Sequence, residues 1–89
     1  MRAIVTVVGK DQVGIIASVC TCLASYQINV LDIRQTVMQG YFTMMMVADV
    51  SGSSIPVAEL AQKLEEQGKQ MNLSIRLQRE DIFDAMHRV

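Results

Sequence analysis

The chain has 89 residues, a formal net charge of −1 at pH 7 and 51% hydrophobic residues. That length holds one core without a second domain, and the apolar share is too high for a disordered chain. The near-neutral charge and the lack of a basic patch argue against nucleic acid as a direct partner, and no apolar run nears the about 20 residues of a membrane helix.

Met1-Arg2-Ala3-Ile4-Val5 is expected to enter a strand directly, with no cleavable leader, which implies a cytoplasmic protein. Strand one is predicted over residues 2–8. Ile4 and Val8 lie on one face and Ala3, Val5 and Val7 on the other, so both faces are apolar, as in a central strand. The turn that follows, Val8-Gly9-Lys10-Asp11-Gln12-Val13-Gly14-Ile15, sets two glycines, two opposite charges and a glutamine before a helix. Glycine lets a backbone or a ligand come close, and the free N–H groups of a helix start attract an anion such as a carboxylate. The alternative is local: Asp11 caps the helix and Gly9 ends the strand.

Helix one is predicted over residues 13–27, burying Ile15, Ile16, Val19, Cys20 and Leu23. Cys20 and Cys22 point to opposite faces, so they neither pair nor share a metal; Cys20 reads as core and Cys22 as a bystander. Strand two is predicted over residues 30–38, with Leu31, Ile33, Gln35 and Val37 on a mostly core face. Gln39-Gly40 makes a two-residue hairpin turn. Pairing Met38 with Tyr41 then sets Val37, Gln35, Ile33 and Leu31 against Phe42, Met44, Met46 and Ala48, an apolar series that continues to Val50. Thr36 meets Thr43 and Arg34 meets Met45 on the other face.

Helix two is predicted over residues 55–67, with Pro56 in its first turn, Val57, Leu60, Ala61 and Leu64 inward, and Gly68 as its stop. Strand four, residues 72–78, turns Leu73, Ile75 and Leu77 in. A last helix over residues 79–87 offers Ile82, Phe83 and Met86 as an apolar stripe. The order β-α-β-β-α-β plus a terminal helix is an α+β, ferredoxin-like sandwich. Right-handed crossovers put both main helices on one face of an antiparallel sheet of order 4-1-3-2. The core is expected in residues 1–78 and the terminal helix in residues 79–89. Strand two then lies at an edge and invites a second copy. The other sheet face, with Met38, Tyr41, Met45 and Val47, needs covering by the last helix or by a partner.

The catalytic search gives no positioned set. His87, the single histidine, stands two residues from the end, and no serine or cysteine has a histidine at a useful spacing. Glu65-Glu66 and Glu80-Asp81 read as solvated helix faces. Neither a metal cluster nor a Gly-rich phosphate loop is present, so the chain is expected to be no enzyme and to need no metal or cofactor.

Asp11, Gly14 and Ile15 fit an Asp-x-x-Gly-Ile pattern after strand one, and Asn29-Val30-Leu31-Asp32-Ile33 follows at the start of strand two. These motifs in this element order resemble the ACT domain, a regulatory module of amino-acid metabolism. The similarity extends to small stand-alone ACT proteins related to the glycine-cleavage repressor family, through Gly-Lys-Asp, Gln35-Thr36 and Phe42-Thr43-Met44. The resemblance implies edge-to-edge pairing through strand two and a small ligand, often an amino acid, at the shared interface. Carried over, the contacts are Gly9, Lys10, Asp11, Gln12, Val13, Gly14 and Ile15 of one copy, facing Asn29, Val30 and Asp32 of the other. N–H groups near Val13 and Gly14 would take the carboxylate, Asp11 or Asp32 the ammonium, and Asn29 can both donate and accept. The reading that follows is a homodimeric sensor acting on a separate, unknown target. The alternative is a ligand-free interaction module that docks a partner through its sheet face and last helix.

Overall fold

The computed structural model describes the backbone of residues 1–86 and the side chains of residues 1–85. The elements are β1 (Arg2–Lys10), α1 (Ile15–Ser25), β2 (Asn29–Met38), β3 (Tyr41–Asp49), α2 (Val57–Met71), β4 (Leu73–Arg79) and α3 (Glu80–Met86). The strands form one antiparallel sheet in the order β2-β3-β1-β4, as the sequence predicts. β1 is central, and its alternate residues Ala3, Val5 and Val7 are buried under the two main helices. They join Phe42, Met44, Met46 and Ala48 of β3, Leu73 and Ile75 of β4, Ile15, Val19 and Leu23 of α1, and Leu60 and Leu64 of α2. Each large side chain buried in full contributes about 1.5–3 kcal/mol. Gln67 Nε2 donates to Ser18 O at 2.9 Å and ties the two helices together.

The hairpin register holds from Met38↔Tyr41 through Ile33↔Met46. Gln39 and Gly40 both take positive φ, 51° and 83°, the turn whose twist matches the strands it joins. The pairing of Leu31 with Ala48 does not form. A bulge leaves Leu31 unpaired, so Val30 faces Ala48 and Asn29 faces Asp49. A period-two pattern cannot show an extra residue that shifts the phase at one point.

Four further expectations are corrected. The predicted core face of strand two is uncovered: Leu31, Ile33 and Val37 are 49%, 39% and 52% exposed and only Val30 packs against the core, because β2 is the edge strand and the helices' buried residues lie over β1, β3 and β4. Helix one is shorter than 13–27, and its buried stripe is Ile15, Val19 and Leu23, with Ile16 exposed and Cys20 half-buried. Cys22 is no bystander; it packs half-buried against the core, and burial pushes its thiol pKa up. Gly68 does not stop α2, which runs on to Met71 and ends at Asn72 with φ 57°. Gly68 is buried, and a Cβ there would stand 2.7 Å from the backbone oxygen of Leu73. The glycine therefore sets how closely α2 packs on β4.

On the opposite sheet face α3 packs against β1 and β4, where Ile4 is buried and Arg2 pairs with Glu80. Phe83 is half-buried and Ile82 exposed. α3 leaves Met38, Tyr41 and Met45 exposed. The expected end of this helix at His87 and the role of His87 lie outside the described residues, as does the side chain of Met86.

At the end of β3 the hydroxyl and N–H of Ser51 both donate to Asp49 Oδ1, and these two bonds hold the carboxyl below its ordinary pKa. Two outcomes follow. Gly68→Ala, measured by urea unfolding, lowers stability by about 1–3 kcal/mol through overpacking. Asp49 has a folded pKa below its unfolded one, so its contribution is present above the unfolded value and is lost as pH falls through the folded one. Asp49→Asn therefore destabilises at neutral pH, and the difference between variant and parent closes in acid.

Candidate functional site

β1 continues two residues beyond its predicted end, so Gly9 and Lys10 are strand residues, opposite Phe42 and Tyr41. Gly9 also faces Leu73 of β4, and a Cβ on it would collide with Leu73 Cδ2. The approach of β4 accounts for this glycine. The chain then leaves the sheet under two tethers. Asp11 N–H donates to Gly40 O at 2.8 Å, and Gln12 Nε2 donates to Met71 O at 2.8 Å. Val13 stands fully exposed.

Gly14 is the N-cap of α1, at φ 90°, a conformation that costs other residues roughly 1–2 kcal/mol. No side chain caps the helix, so Asp11 does not serve as its cap. The first helical bond runs from Ser18 N–H to Gly14 O at 2.9 Å. The N–H groups of Ile15, Ile16 and Ala17 precede it, and no acceptor meets them among the described residues. Here three donors and the positive end of the helix dipole coincide.

These donors border an open cavity of about 370 Å³ on the helix side of the sheet. Asp11, Gln12 and Gly14 form one wall, and Ile15, Ile16 and Ala17 a second. Gln35 and Val37 of β2, with Phe42 of β3, close the third. Among the described residues, the Asp11 carboxylate takes part in no hydrogen bond or ion pair. Gln35, Val37, Phe42, Ile16 and Ala17 were not predicted as site residues. The available signal was Gln35, a polar side chain in an otherwise apolar series.

The predicted residues divide into three groups. Asp11, Gln12, Gly14 and Ile15 share the cavity. Lys10 borders a separate cleft with Asp11, Gln12 and Asn72, while half-buried Gly9 lies against Leu73 of β4 and Val13 points to solvent. Asn29, Val30 and Asp32 lie at the far end of β2, because Met38 is level with Lys10 and Asn29 is level with Arg2. Asn29 thus stands roughly 30 Å from Met38 and Asp32 roughly 20 Å, at ~3.3 Å per residue. Asp32 faces away from the main helices, and its Oδ1 accepts from Ile33 N–H at 2.8 Å. No three of the described His, Cys, Asp and Glu side chains come together as metal ligands.

A family model described as the ACT domain matches residues 2–78. A UPF0237 protein of Clostridium acetobutylicum is 52% identical over 89 residues, covering all of both chains. A solved structure, an ACT domain protein from Streptococcus pneumoniae, superposes with a TM-score of 0.82 at 42% identity, over 98% of each chain. A putative glycine cleavage system transcriptional repressor superposes with a TM-score of 0.74 over 86% of this chain and 44% of its own. At 22% identity that last likeness concerns the fold alone.

The loop residues differ in task, and unfolding experiments separate them. Gln12→Ala removes the tether to Met71 and lowers stability by about 0.5–1.5 kcal/mol. Asp11→Ala leaves stability within about 0.5 kcal/mol, since only the backbone of Asp11 is engaged.

Proposed function

The chain belongs to the ACT domain family, and on that footing we propose that it is a regulatory protein that binds an amino acid or similar small molecule between two copies and reports it to a separate target. One observation carries this reading. The two halves of the predicted contact set stand at opposite ends of β2, and β2 is an edge strand with its outer side unpaired. Antiparallel pairing of β2 with the same strand of a second copy exchanges the ends. It brings the partner's Asn29 and the partner's Val30 toward the cavity beside Gln35 and Val37.

The chemistry suits an amino acid. The N–H groups of Ile15, Ile16 and Ala17 take the carboxylate. Asp11 takes the ammonium; of the two candidate acids it is the one that borders the cavity. Ile16, Val37 and Phe42 receive the side chain. A ligand held between copies stabilises the pair by mass action, about 2.7 kcal/mol at one hundred times its dissociation constant. Dimer formation is then the signal, and the task is regulatory rather than catalytic, in the cytoplasm.

A second reading, a ligand-free interaction module, draws on the sheet face that α3 leaves open. Met38, Tyr41 and Met45 lie exposed there, apolar side chains on a surface with no cover from this chain's described residues.

A thermal-shift screen against amino acids, with mass recorded by light scattering, tests the first reading. The expected result is a saturable rise for one compound and a mass of two chains. In that background Asp11→Ala weakens the ligand by about tenfold or more, with the free protein's melting temperature unchanged. A monomeric mass with no shift for any compound overturns it. Met38→Glu combined with Met45→Glu tests the second reading. Loss of target capture with ligand binding intact supports it, and capture that survives both changes removes it.

A further inference from the structure

We propose that two copies pair through β2 in one register, with Ile33 opposite the partner's Ile33 and Arg34 beside the partner's Asp32. This rests on the reading that the chain dimerises through β2, and it adds which residue stands on the two-fold axis.

The hairpin fixes which backbone groups are free. A two-residue turn closes on a hydrogen-bonded pair, here Met38 and Tyr41, and such pairs alternate along an antiparallel ladder. Val37, Gln35 and Ile33 therefore occupy the non-hydrogen-bonded positions against β3. Their N–H and C=O groups point to the open side of the sheet, where the Ile33 N–H is held by Asp32 Oδ1 at 2.8 Å, a bond that pairing exchanges for one to the partner's Ile33. A symmetric antiparallel pair must set one residue opposite its own copy, so only a few registers exist.

Charge chooses among them. Asp32 and Arg34 face away from the main helices, opposite Val47 and Met45. Neither has an ion-pair partner among the described residues. With Arg34 or Asp32 on the axis, like charges stand directly opposite, which destabilises a sheet. With Gln35 or Thr36 on the axis, Arg34 meets Thr36 or Met38 and both charges stay unpaired. With Ile33 on the axis, each Arg34 meets the partner's Asp32, and two opposite-charge pairs form about the symmetry axis. Ile33, 39% exposed in one copy, covers its own counterpart on the helix side.

The same register gives the bulge a task. With Leu31 as the extra residue, it sets the partner's Val30 opposite Gln35 and the partner's Asn29 opposite Thr36, beside the cavity wall formed by Gln35 and Val37. The extra residue Leu31 shifts the side-chain phase, so Val30 points to the helix side, level with buried Ala48. Without the bulge Val30 would point to the face away from the cavity.

Cysteine placement reads the register directly. Ile33→Cys, in a Cys20→Ser, Cys22→Ser background, oxidises to a covalent dimer, because directly opposite Cα atoms lie about 5.5 Å apart, within disulfide range. Gln35→Cys does not, because its own copy then lies roughly 13 Å away at ~3.3 Å per residue. Charge reversal in the natural cysteine background is the second measurement. Arg34→Asp and Asp32→Arg each raise the dimer dissociation constant by about tenfold, and the two together restore it to within about threefold. A dimer that links through Gln35→Cys, or one whose charge reversals do not compensate, overturns this register and leaves pairing through β2 standing. A parent protein that stays monomeric at every concentration, with or without amino acids, overturns both.

Discussion

The position of β1 governs the rest of the molecule. It pairs on both sides, with β3 and β4, and its helix-side residues Ala3, Val5 and Val7 have no exposure. A strand so enclosed cannot shift without breaking two ladders and the core at once. Its exit therefore aims the next segment with little freedom, and the tethers to Gly40 and Met71 remove more. Gly14 then opens α1 at the sheet's end with its first N–H groups uncovered. The cavity is a consequence of where β1 stops and α1 starts.

Much of this was legible because the hydrophobic pattern has a period. Phe42, Met44, Met46 and Ala48 announce a strand with one buried face, and the two-residue turn fixes what lies opposite. The element order then determined the sheet order. The missed features are those that break a period or depend on distance. The bulge at Leu31 is a single phase shift, and Gly68 marks a close approach of α2 to β4 at Leu73. The exposure of Ile33 and Val37 belongs to the edge position, where an apolar residue reads as core although nothing in the same chain lies above it.

The candidate site was legible by halves. The local signature Asp11-x-x-Gly14-Ile15 pointed to a turn that borders a cavity, and the fold gives each member a separate physical reason. Gly14 supplies a backbone angle, Ile15 a core anchor, and Asp11 a carboxylate free of other bonds. Gly9 belongs to the sheet instead, since Leu73 occupies the space beside it. The third wall was not legible, because Gln35 and Val37 reach the loop only through tertiary structure. Asn29 and Val30 remain at the far end of the strand within one chain, and joining them to Asp11 takes the second copy proposed above.

The methionines of β3 carry a consequence of their own. Met44 and Met46 are fully buried, whereas Met45 between them is exposed, as is Met38 across the hairpin. Oxidants reach thioethers in proportion to their access, and a sulfoxide is a polar group that a core cannot accept without loss of packing. Under oxidative stress the surface pair is consumed first and leaves the interior intact. Adjacent side chains on one strand thus have opposite fates, and the sulfoxide pattern across Met44-Met45-Met46 records whether a molecule was folded when it was damaged.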